Sequence, residues 1–335
     1  MDNIFVKKNS FEEFQHVKSY LKYGSPDKCP NPLVSIIMPV YKRPDTFALS
    51  LKSAIQQECD FPYEIVVVDN YDGEGESPNF KVVTDTKASN ILYYHNEINL
   101  GMMGNWNRGI ELARAEHITF CHDDDIFLPN CISRLLKIQD KVGDKLILSK
   151  WDTIDEKGEI IPQISRHVFL KNIFPLKDYY KYSLYDQFIS SMGFGVGCLF
   201  NRKVLLEIGG YNKDFYPSAD YALHITYTYY YGCVINNEVV FHYRVSRNES
   251  MNVYTKFPEV NKEIRYQIMQ KLKYPQFLLN RIRMAIYRLS SINFAIEWGG
   301  KEKSLESEKL MSDRLVYFIA SLPARLKPYK LLFLF

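Results

Sequence analysis

The chain has 335 residues, of which 46% are hydrophobic, 24% charged and 15% aromatic. At about 150 residues per domain that is one large domain with an appendage, or two domains, and the composition excludes a disordered, collagenous or low-complexity chain. The formal charge of +3 is unevenly spread: residues 271–335 hold 12 basic and 5 acidic residues, against 30 and 34 in the remainder. A slightly acidic body with a basic tail points to an anionic surface as partner of the tail, not to a nucleic-acid-binding protein.

No run of about 18 apolar residues marks a membrane-spanning helix. The first residues lack the basic-then-apolar order of a secretory signal. Six cysteines, at 29, 59, 121, 131, 198 and 233, lie scattered without a CxxC spacing. That pattern fits reduced thiols in a cytosol better than a disulfide or zinc framework.

Residues 1–32 read as a short amphipathic lead-in closing on Cys29-Pro30-Asn31-Pro32. Leu33–Met38 is an apolar run of strand length, stopped by Pro39. From Thr46 to Gln57 the apolar Phe47, Leu51, Ala54 and Ile55 recur at helical spacing, with Thr46 as N-cap. Glu64–Val68 and Ile91–Tyr94 follow as strands, 103–115 as a helix and His117–Cys121 as a fourth strand. Strand and helix alternating at this spacing predict βαβ units and a parallel sheet, and strands that are apolar throughout predict cover on both faces. Beyond these, Leu146–Ser149, Gly193–Phe200 and Val239–Val245 read as strands. Arg202–Ile208 reads as a short helix closed by Gly209-Gly210, 219–231 as a helix, and 258–335 as mostly helical.

Polar residues gather where three of the strands end: Pro39-Val40-Tyr41, Asp69-Asn70-Tyr71-Asp72 and His122-Asp123-Asp124-Asp125. Ligands of open α/β sheets bind beyond the carboxyl ends of the strands, so the three tips are expected to form one site. Three adjacent carboxylates repel one another. They suit a divalent cation such as Mg²⁺ or Mn²⁺, which favours hard oxygen ligands and substrate phosphates; a solvated loop is the alternative. Asp69-Asn70 is either a turn that ends a strand or a polar pair aimed at a nucleobase edge or ribose. Tyr41 is either a loop aromatic or a platform for a base, where stacking contributes about 1–3 kcal/mol. Asp220, in Pro217-Ser218-Ala219-Asp220-Tyr221, reads either as a helix cap or as a general base for an attacking hydroxyl. His242 lies in an alternating strand and reads as structural.

Taken together these pieces resemble glycosyltransferase family 2. Val34–Tyr41 (VSIIMPVY), Glu64–Asn70 (EIVVVDN), Asn99-Leu100-Gly101 with Asn105 and Asn107, and Ile118–Pro129 (ITFCHDDDIFLP) come in the family's order and spacing. Gly209-Gly210-Tyr211 with Asp214, then Ala219-Asp220, resembles its later "GG-aromatic, then acidic pair" region. The resemblance covers about residues 33–250 and implies an α/β GT-A fold, Rossmann-like, with a mostly parallel sheet flanked by helices. Residues 33–145 would form the nucleotide-sugar half, 146–255 the acceptor half, and 256–335 a helical basic C-terminal extension.

The resemblance also implies roles. Pro39 and Tyr41 would hold the nucleoside, and Asp69, Gly101, Asn105, Asp123 and Asp124 would contact the nucleotide-sugar. Asn70 stands where the family has an acidic residue reading uracil, and its amide oxygen can still accept from a uracil N–H. Asp124, with Asp125, would hold Mn²⁺ or Mg²⁺, and Asp220 would be the base of an inverting reaction. This chain departs from the family in His122, which replaces a frequent Asp. It departs also in Ala219, which leaves one carboxylate of the acidic pair, and in Ser246, which replaces a frequent His. The implied enzyme is an inverting hexosyl- or N-acetylhexosaminyltransferase that uses a UDP-sugar. Its acceptor is a glycan or lipid-linked saccharide in bacterial surface polysaccharide synthesis. It would be cytoplasmic, with the tail either on the anionic inner face of the plasma membrane or in a homodimer interface. A metal-dependent nucleotidyltransferase is a second reading, disfavoured because Tyr41-Lys42-Arg43-Pro44 has no glycine. A non-catalytic glycan-binding relative is a third, disfavoured by Asp123, Asp124 and Asp220. A dinucleotide-dependent dehydrogenase is excluded by the lack of GxGxxG after a strand.

Overall fold

The computed structural model describes residues 1–162, 176–191, 195–245, 252–297 and 310–327. The lead-in contributes strand β1 (Ser19–Tyr23), followed by β2 (Val34–Val40), helix α1 (Pro44–Ile55), β3 (Tyr63–Asp69), α2 (Pro78–Thr86), β4 (Ile91–Asn96), α3 (Gly101–Leu112) and β5 (His117–Phe120). The chain then makes β6 (Ile126–Phe127), α4 (Cys131–Val142), β7 (Leu146–Ile154), β8 (Tyr179–Lys181), α5 (Leu184–Ile189), β9 (Phe200–Asn201), α6 (Arg202–Ile208), α7 (Ala219–Tyr231) and β10 (Cys233–Arg244). Three helices follow: α8 (Lys256–Met269), α9 (Gln276–Glu297) and α10 (Met311–Leu326).

The main sheet has the order β1-β4-β3-β2-β5-β9. Its four central strands are parallel, and β1 and β9 close the edges antiparallel. The strand order reverses at β2, which lies between β3 and β5, and that is where an open α/β sheet forms its ligand crevice. Side chains of β2 alternate between two cores. Val34, Ile36 and Met38 pack with Phe47 and Leu51 of α1, whereas Ile37 packs with Ile110 of α3 on the other face. This is why the strand is apolar throughout. A second sheet, β6-β10-β7 with β8 on β10, lies beyond β5. The His122–Asp125 loop is the segment that crosses from one sheet to the other.

Several expectations need correction. The lead-in holds a strand that alternation did not reveal, because β1 is a largely exposed edge. Helix α2 was not anticipated; Ser77 accepts from the Asn79 N–H and Pro78 occupies the first turn. Helix α1 starts three residues before the expected cap, with Arg43 at the N-cap position and Pro44 inside. Strand β10 begins six residues early, because a register shift at Asn236–Val239 interrupts the alternation. In Gly193–Phe200, residues 192–194 lie outside the described residues; Val196 and Leu199 make isolated bridges, and only Phe200–Asn201 is a strand. Of the stretch 258–335 expected to be mostly helical, residues 298–309 and 328–335 lie outside the described residues. Ile4 and Phe5 of the lead-in share one core with Ile264, Ile268 and Leu279 of α8 and α9, and Gln267 pairs with the Ile4 N–H and the Asp2 carbonyl.

One buried ion pair ties the sheet's amino-terminal edge together. Glu64 is fully buried and accepts from Ser35 Oγ at 2.6 Å, from the Arg114 N–H at 2.8 Å and from Arg114 Nε at 2.7 Å. Removing the cation would strand a buried carboxylate, a loss of about 3–5 kcal/mol. Arg114→Ala should therefore lower stability by about 3 kcal/mol in urea denaturation; a loss well under about 1 kcal/mol would show that water reaches Glu64.

Candidate active site

A cavity of about 700 Å³ opens at the carboxyl ends of β2, β3 and β5. Its walls include Pro39, Tyr41, Asn70, Gly101 and Asn105 on one side and His122, Asp123 and Asp124 on another. Asp220, in the first turn of α7, closes a third side. So strand tips far apart in sequence meet in one space, together with a carboxylate from the second half of the chain.

The acidic loop is held by two arginines. Arg43 Nη1 lies 3.0 Å from Asp124 Oδ2 and 3.6 Å from Asp123 Oδ1. Arg244 works from behind: its N–H donates to Asp125 Oδ1 at 3.0 Å, its Nε to the Asp124 carbonyl at 2.9 Å, and its Nη1 to the Asp155 and Glu156 carbonyls. Burial, reinforced by the neighbouring Asp124, pushes Asp123 up to about 7 and Asp125 well above the usual carboxylate range. His122 stacks on Trp106, ring centroids 4.9 Å apart. Burial lowers its pKa to about 4, so the ring is neutral at physiological pH.

Ligand atoms of His122, Asp124 and Asp125 lie within 4.8 Å of one another. Asp125 Oδ2 and His122 Nε2 are buried without a hydrogen-bond partner. Carboxylate oxygens beside an imidazole fit Mn²⁺ and also Mg²⁺. Asp124 is the member of this set that both lines the cavity and carries a counter-charge; Asp125 lies behind it, fully buried.

Three asparagines shape the opposite wall. Asn96 Nδ2 donates to Asn70 Oδ1 at 2.8 Å and to Asn105 Oδ1 at 2.9 Å. Asn70 Nδ2 donates to the Gly101 carbonyl at 3.0 Å, and Asn70 Oδ1 also accepts from the Leu100 N–H. Asn105 Nδ2 donates to the Val68 carbonyl at 3.0 Å. Asn70 thus lines the cavity with its amide already engaged in joining β3 to the start of α3. Asp69, expected to contact the nucleotide-sugar, is placed behind the strand tip and bonded to protein groups. It is fully buried outside the cavity wall, and it accepts from the Tyr71 N–H, Ser77 Oγ, Asn79 Nδ2 and Tyr93 Oη. Tyr41 is 39% exposed, its hydroxyl donating to Asp72.

Asp220 owes its position to a clamp on the segment before it. Asn107 Oδ1 accepts from the Tyr211 N–H and its Nδ2 donates to the Tyr211 carbonyl, both at 2.8 Å. The Tyr211 ring packs edge-on against Trp106 and Phe120. Gly209 and Gly210 before it take φ of +96° and +69°, and a Cβ on Gly209 would meet the Lys8 carbonyl oxygen at 1.8 Å. Burial raises Asp220 to about 7, partly opposed by the Tyr221 N–H on Oδ1. Asp214, the other acid of this region, is turned to Lys8 at 2.7 Å and is not in the cavity wall. His242 pairs in register with Ile126, and Ser246 lies outside the described residues.

Sequence reasoning missed Arg43, Trp106 and Arg244, and it missed the wall supplied from beyond residue 250 by Val253, Phe257, Asn261 and Phe294. Phe257 and Phe294 stack with centroids 5.5 Å apart. The one available signal was the cation in Lys42-Arg43-Pro44 beside a strand end that faces clustered acids. The Asn107 clamp carries a prediction. Asn107→Ala leaves two buried backbone groups unpaired, which costs about 1–3 kcal/mol. Amide exchange in 210–218 should quicken while that of β2 and β3 is unchanged; equal exchange in 210–218 would show that the clamp does not fix this segment.

Residues 35–209 match the description Glycosyl transferase family 2. The putative colanic acid biosynthesis glycosyl transferase WcaA of Escherichia coli is 31% identical over 152 residues, 45% of this chain and 53% of that protein. An uncharacterized glycosyltransferase of Rickettsia felis is 30% identical over 194 residues, 57% of this chain and 31% of that protein. The chain thus spans about half the length of one of these curated relatives and about a third of the other. Among solved structures, S. aureus TarS 1-349 in complex with UDP-GlcNAc superposes with a TM-score of 0.58 at 16% identity, covering 87% of this chain and 82% of that one. The mannosyltransferase PcManGT from Pyrobaculum calidifontis, in complex with GDP-Man and Mn²⁺, does so with a TM-score of 0.53 at 14% identity, covering 92% and 90%. With the family match over more than half of its length and the GT-A architecture of these neighbours, the chain belongs to glycosyltransferase family 2.

Proposed function

We propose that the protein is an inverting glycosyltransferase that moves a hexosyl or N-acetylhexosaminyl group from a UDP-sugar to a hydroxyl of a glycan or lipid-linked saccharide. The observation that carries this reading is the meeting of Asp220 with Asp123 and Asp124 across one cavity at the sheet's switch point. Asp124, with Asp123 and Asp125 around it, would hold Mn²⁺ or Mg²⁺ against the donor diphosphate. A divalent cation there supplies neutralisation of the charge that develops on the leaving diphosphate. Arg43 adds a fixed positive charge beside the same oxygens. The Tyr41 ring offers a face to the base, and the Asn70–Asn96–Asn105 network fixes the backbone around Gly101 against which the nucleotide would lie.

Asp220 takes the proton from the acceptor hydroxyl as its oxygen attacks the anomeric carbon. A single displacement of this kind inverts the anomeric centre. A carboxyl raised to about 7 is well matched to that task near neutral pH. Neighbours crystallised with UDP-GlcNAc and with GDP-Man support a nucleotide-sugar donor, and the likeness to WcaA supports a role in surface polysaccharide synthesis. Such a reaction belongs in the cytoplasm, where nucleotide-sugars are made. No helix among the described residues is long and apolar enough to cross a membrane.

The experiment is a screen of nucleotide-sugars for turnover with and without Mn²⁺, followed by two variants. Asp124→Asn should abolish Mn²⁺-dependent nucleotide binding in calorimetry while the fold survives; undiminished Mn²⁺-dependent binding would remove Asp124 from the metal site. Asp220→Asn should leave donor affinity unchanged and lower kcat by about 10²–10⁴-fold. Because the base must be ionised, kcat/KM of the unaltered enzyme should rise about tenfold per pH unit up to about 7 and then level. A flat profile, or an Asp220→Asn variant of full activity, would assign the base elsewhere.

A further inference from the structure

Helix α10 carries an apolar stripe on its solvent side as well as on its inward side. Its solvent face carries Met311, Leu315, Phe318, Ile319 and Leu322, exposed by 70%, 58%, 48%, 58% and 38%. Their spacing places all five on one stripe along the helix. The inward face carries Asp313, Val316, Tyr317, Ala320 and Ser321; Ala320 belongs to the core, and Val316 and Tyr317 pack against it. A helix that serves only its own core keeps its outer face polar.

This orientation is fixed by specific bonds. Asp313 accepts from Arg288 Nε and Nη2 of α9, each at 2.6 Å. Tyr185 of α5 donates to the Ala320 carbonyl at 3.1 Å, and Lys327 pairs with the fully buried Asp186. Rolling the apolar stripe inward would break these contacts and bury Arg314. A contiguous outward stripe of this kind marks an interaction surface.

The charges beside the stripe say what covers it. Arg314 lies one turn before Phe318, and Arg325 lies one turn after Leu322 with its guanidinium 5.3 Å from the Phe318 ring. Both therefore sit along one rim of the stripe. The acid of this helix, Asp313, is turned inward and already paired. In the sequence, the stretch 271–335 to which this helix belongs holds 12 basic against 5 acidic residues. A second copy packed through the same helix would supply another cationic rim and no free carboxylate of this helix to meet it, whereas an anionic bilayer complements both the apolar stripe and its rim.

We propose that α10 is a membrane-surface helix that lies flat on anionic lipid, its stripe buried about 5–10 Å at the headgroup boundary. Helix α9, against which α10 packs, also carries Phe294 into the wall of the catalytic cavity. Docking through α10 holds that cavity beside the bilayer, within reach of an acceptor whose anchor stays in the lipid. The inference goes beyond the proposed reaction and does not depend on the identity of the donor.

The test is co-sedimentation of the full chain with vesicles of phosphatidylcholine alone and of phosphatidylcholine mixed with phosphatidylglycerol. The protein should pellet with the anionic vesicles at low salt, remain in the supernatant with the neutral ones, and release at about 0.5 M salt, where the Debye length falls to a few ångströms. Leu315→Glu/Ile319→Glu should weaken binding at least tenfold, and the milder Leu315→Ala/Ile319→Ala to a smaller degree. Thermal unfolding and its shift by UDP, read in parallel, should be those of the unaltered chain. Failure to bind anionic vesicles overturns the proposal, as does equal binding by the double glutamate variant or its alanine counterpart. A dimer in light scattering that the glutamate pair dissolves, without vesicle binding, also overturns it and makes the face a self-interface. Each of these failures leaves the UDP shift intact and so is distinguishable from failure of the proposed reaction.

Discussion

Placing Asp123, Asp124 and Asp125 side by side in a loop that crosses between two sheets forces like charges into a poorly solvated place, and the neighbouring groups follow from that constraint. Burial and mutual repulsion drive Asp123 and Asp125 toward the protonated form. The compensation comes from both sides of the loop. Arg43, at the start of α1, meets the carboxylates that face the cavity. Arg244, at the end of β10, spends its guanidinium on main-chain carbonyls and only its backbone N–H on Asp125. The rear arginine therefore fixes the loop's shape without neutralising its open face. Acidity is left pointing into the cavity, where a cation and a diphosphate can use it.

The rest of the site is built from neutral groups, and the same constraint explains why. An asparagine amide both donates and accepts, so it can satisfy donors and acceptors of a neighbouring element without adding charge. Asn70, Asn96 and Asn105 do this between β3, β4 and α3, and Asn107 does it between α3 and the Tyr211 segment. A lysine or aspartate in those places would perturb the acid cluster or leave a buried charge unpaired. Through Asn107 the position of Asp220 is tied to the helix whose amino end lines the opposite side of the cavity. The two halves of the cavity are thus held in one frame.

The parallel sheet was legible in the sequence because its strands are buried on both faces and carry β-branched runs such as Ile65–Val68, a signal that needs no tertiary information. The convergence of Tyr41, Asn70 and Asp124 was legible too, since strand ends in a doubly wound sheet point the same way. The buried bonding of Asp69 was not. A carboxylate that ends a strand looks the same in sequence whether it faces a ligand or four protein donors. Strand β1 was hidden by its exposure. The stretch Asn236-Asn237-Glu238 broke the alternation that would have revealed the start of β10. The wall contributed by Phe257 and Phe294 was out of reach because periodicity reports which face of a helix is apolar, not what it meets. For the same reason the basic tail was visible as a charge excess, while the outward stripe of α10 needed its packing partners to be seen.

The central claim is that one carboxylate, Asp220, acts across a shared cavity from the diphosphate-binding acids in a single displacement. The anomeric configuration of the product tests it most directly. With a donor whose sugar is α-linked to the nucleotide, nuclear magnetic resonance of the purified product should show a β-glycosidic linkage. An α-linked product from that donor would require a second displacement or a different nucleophile, and it would contradict the assignment of Asp220 as the base of a direct transfer.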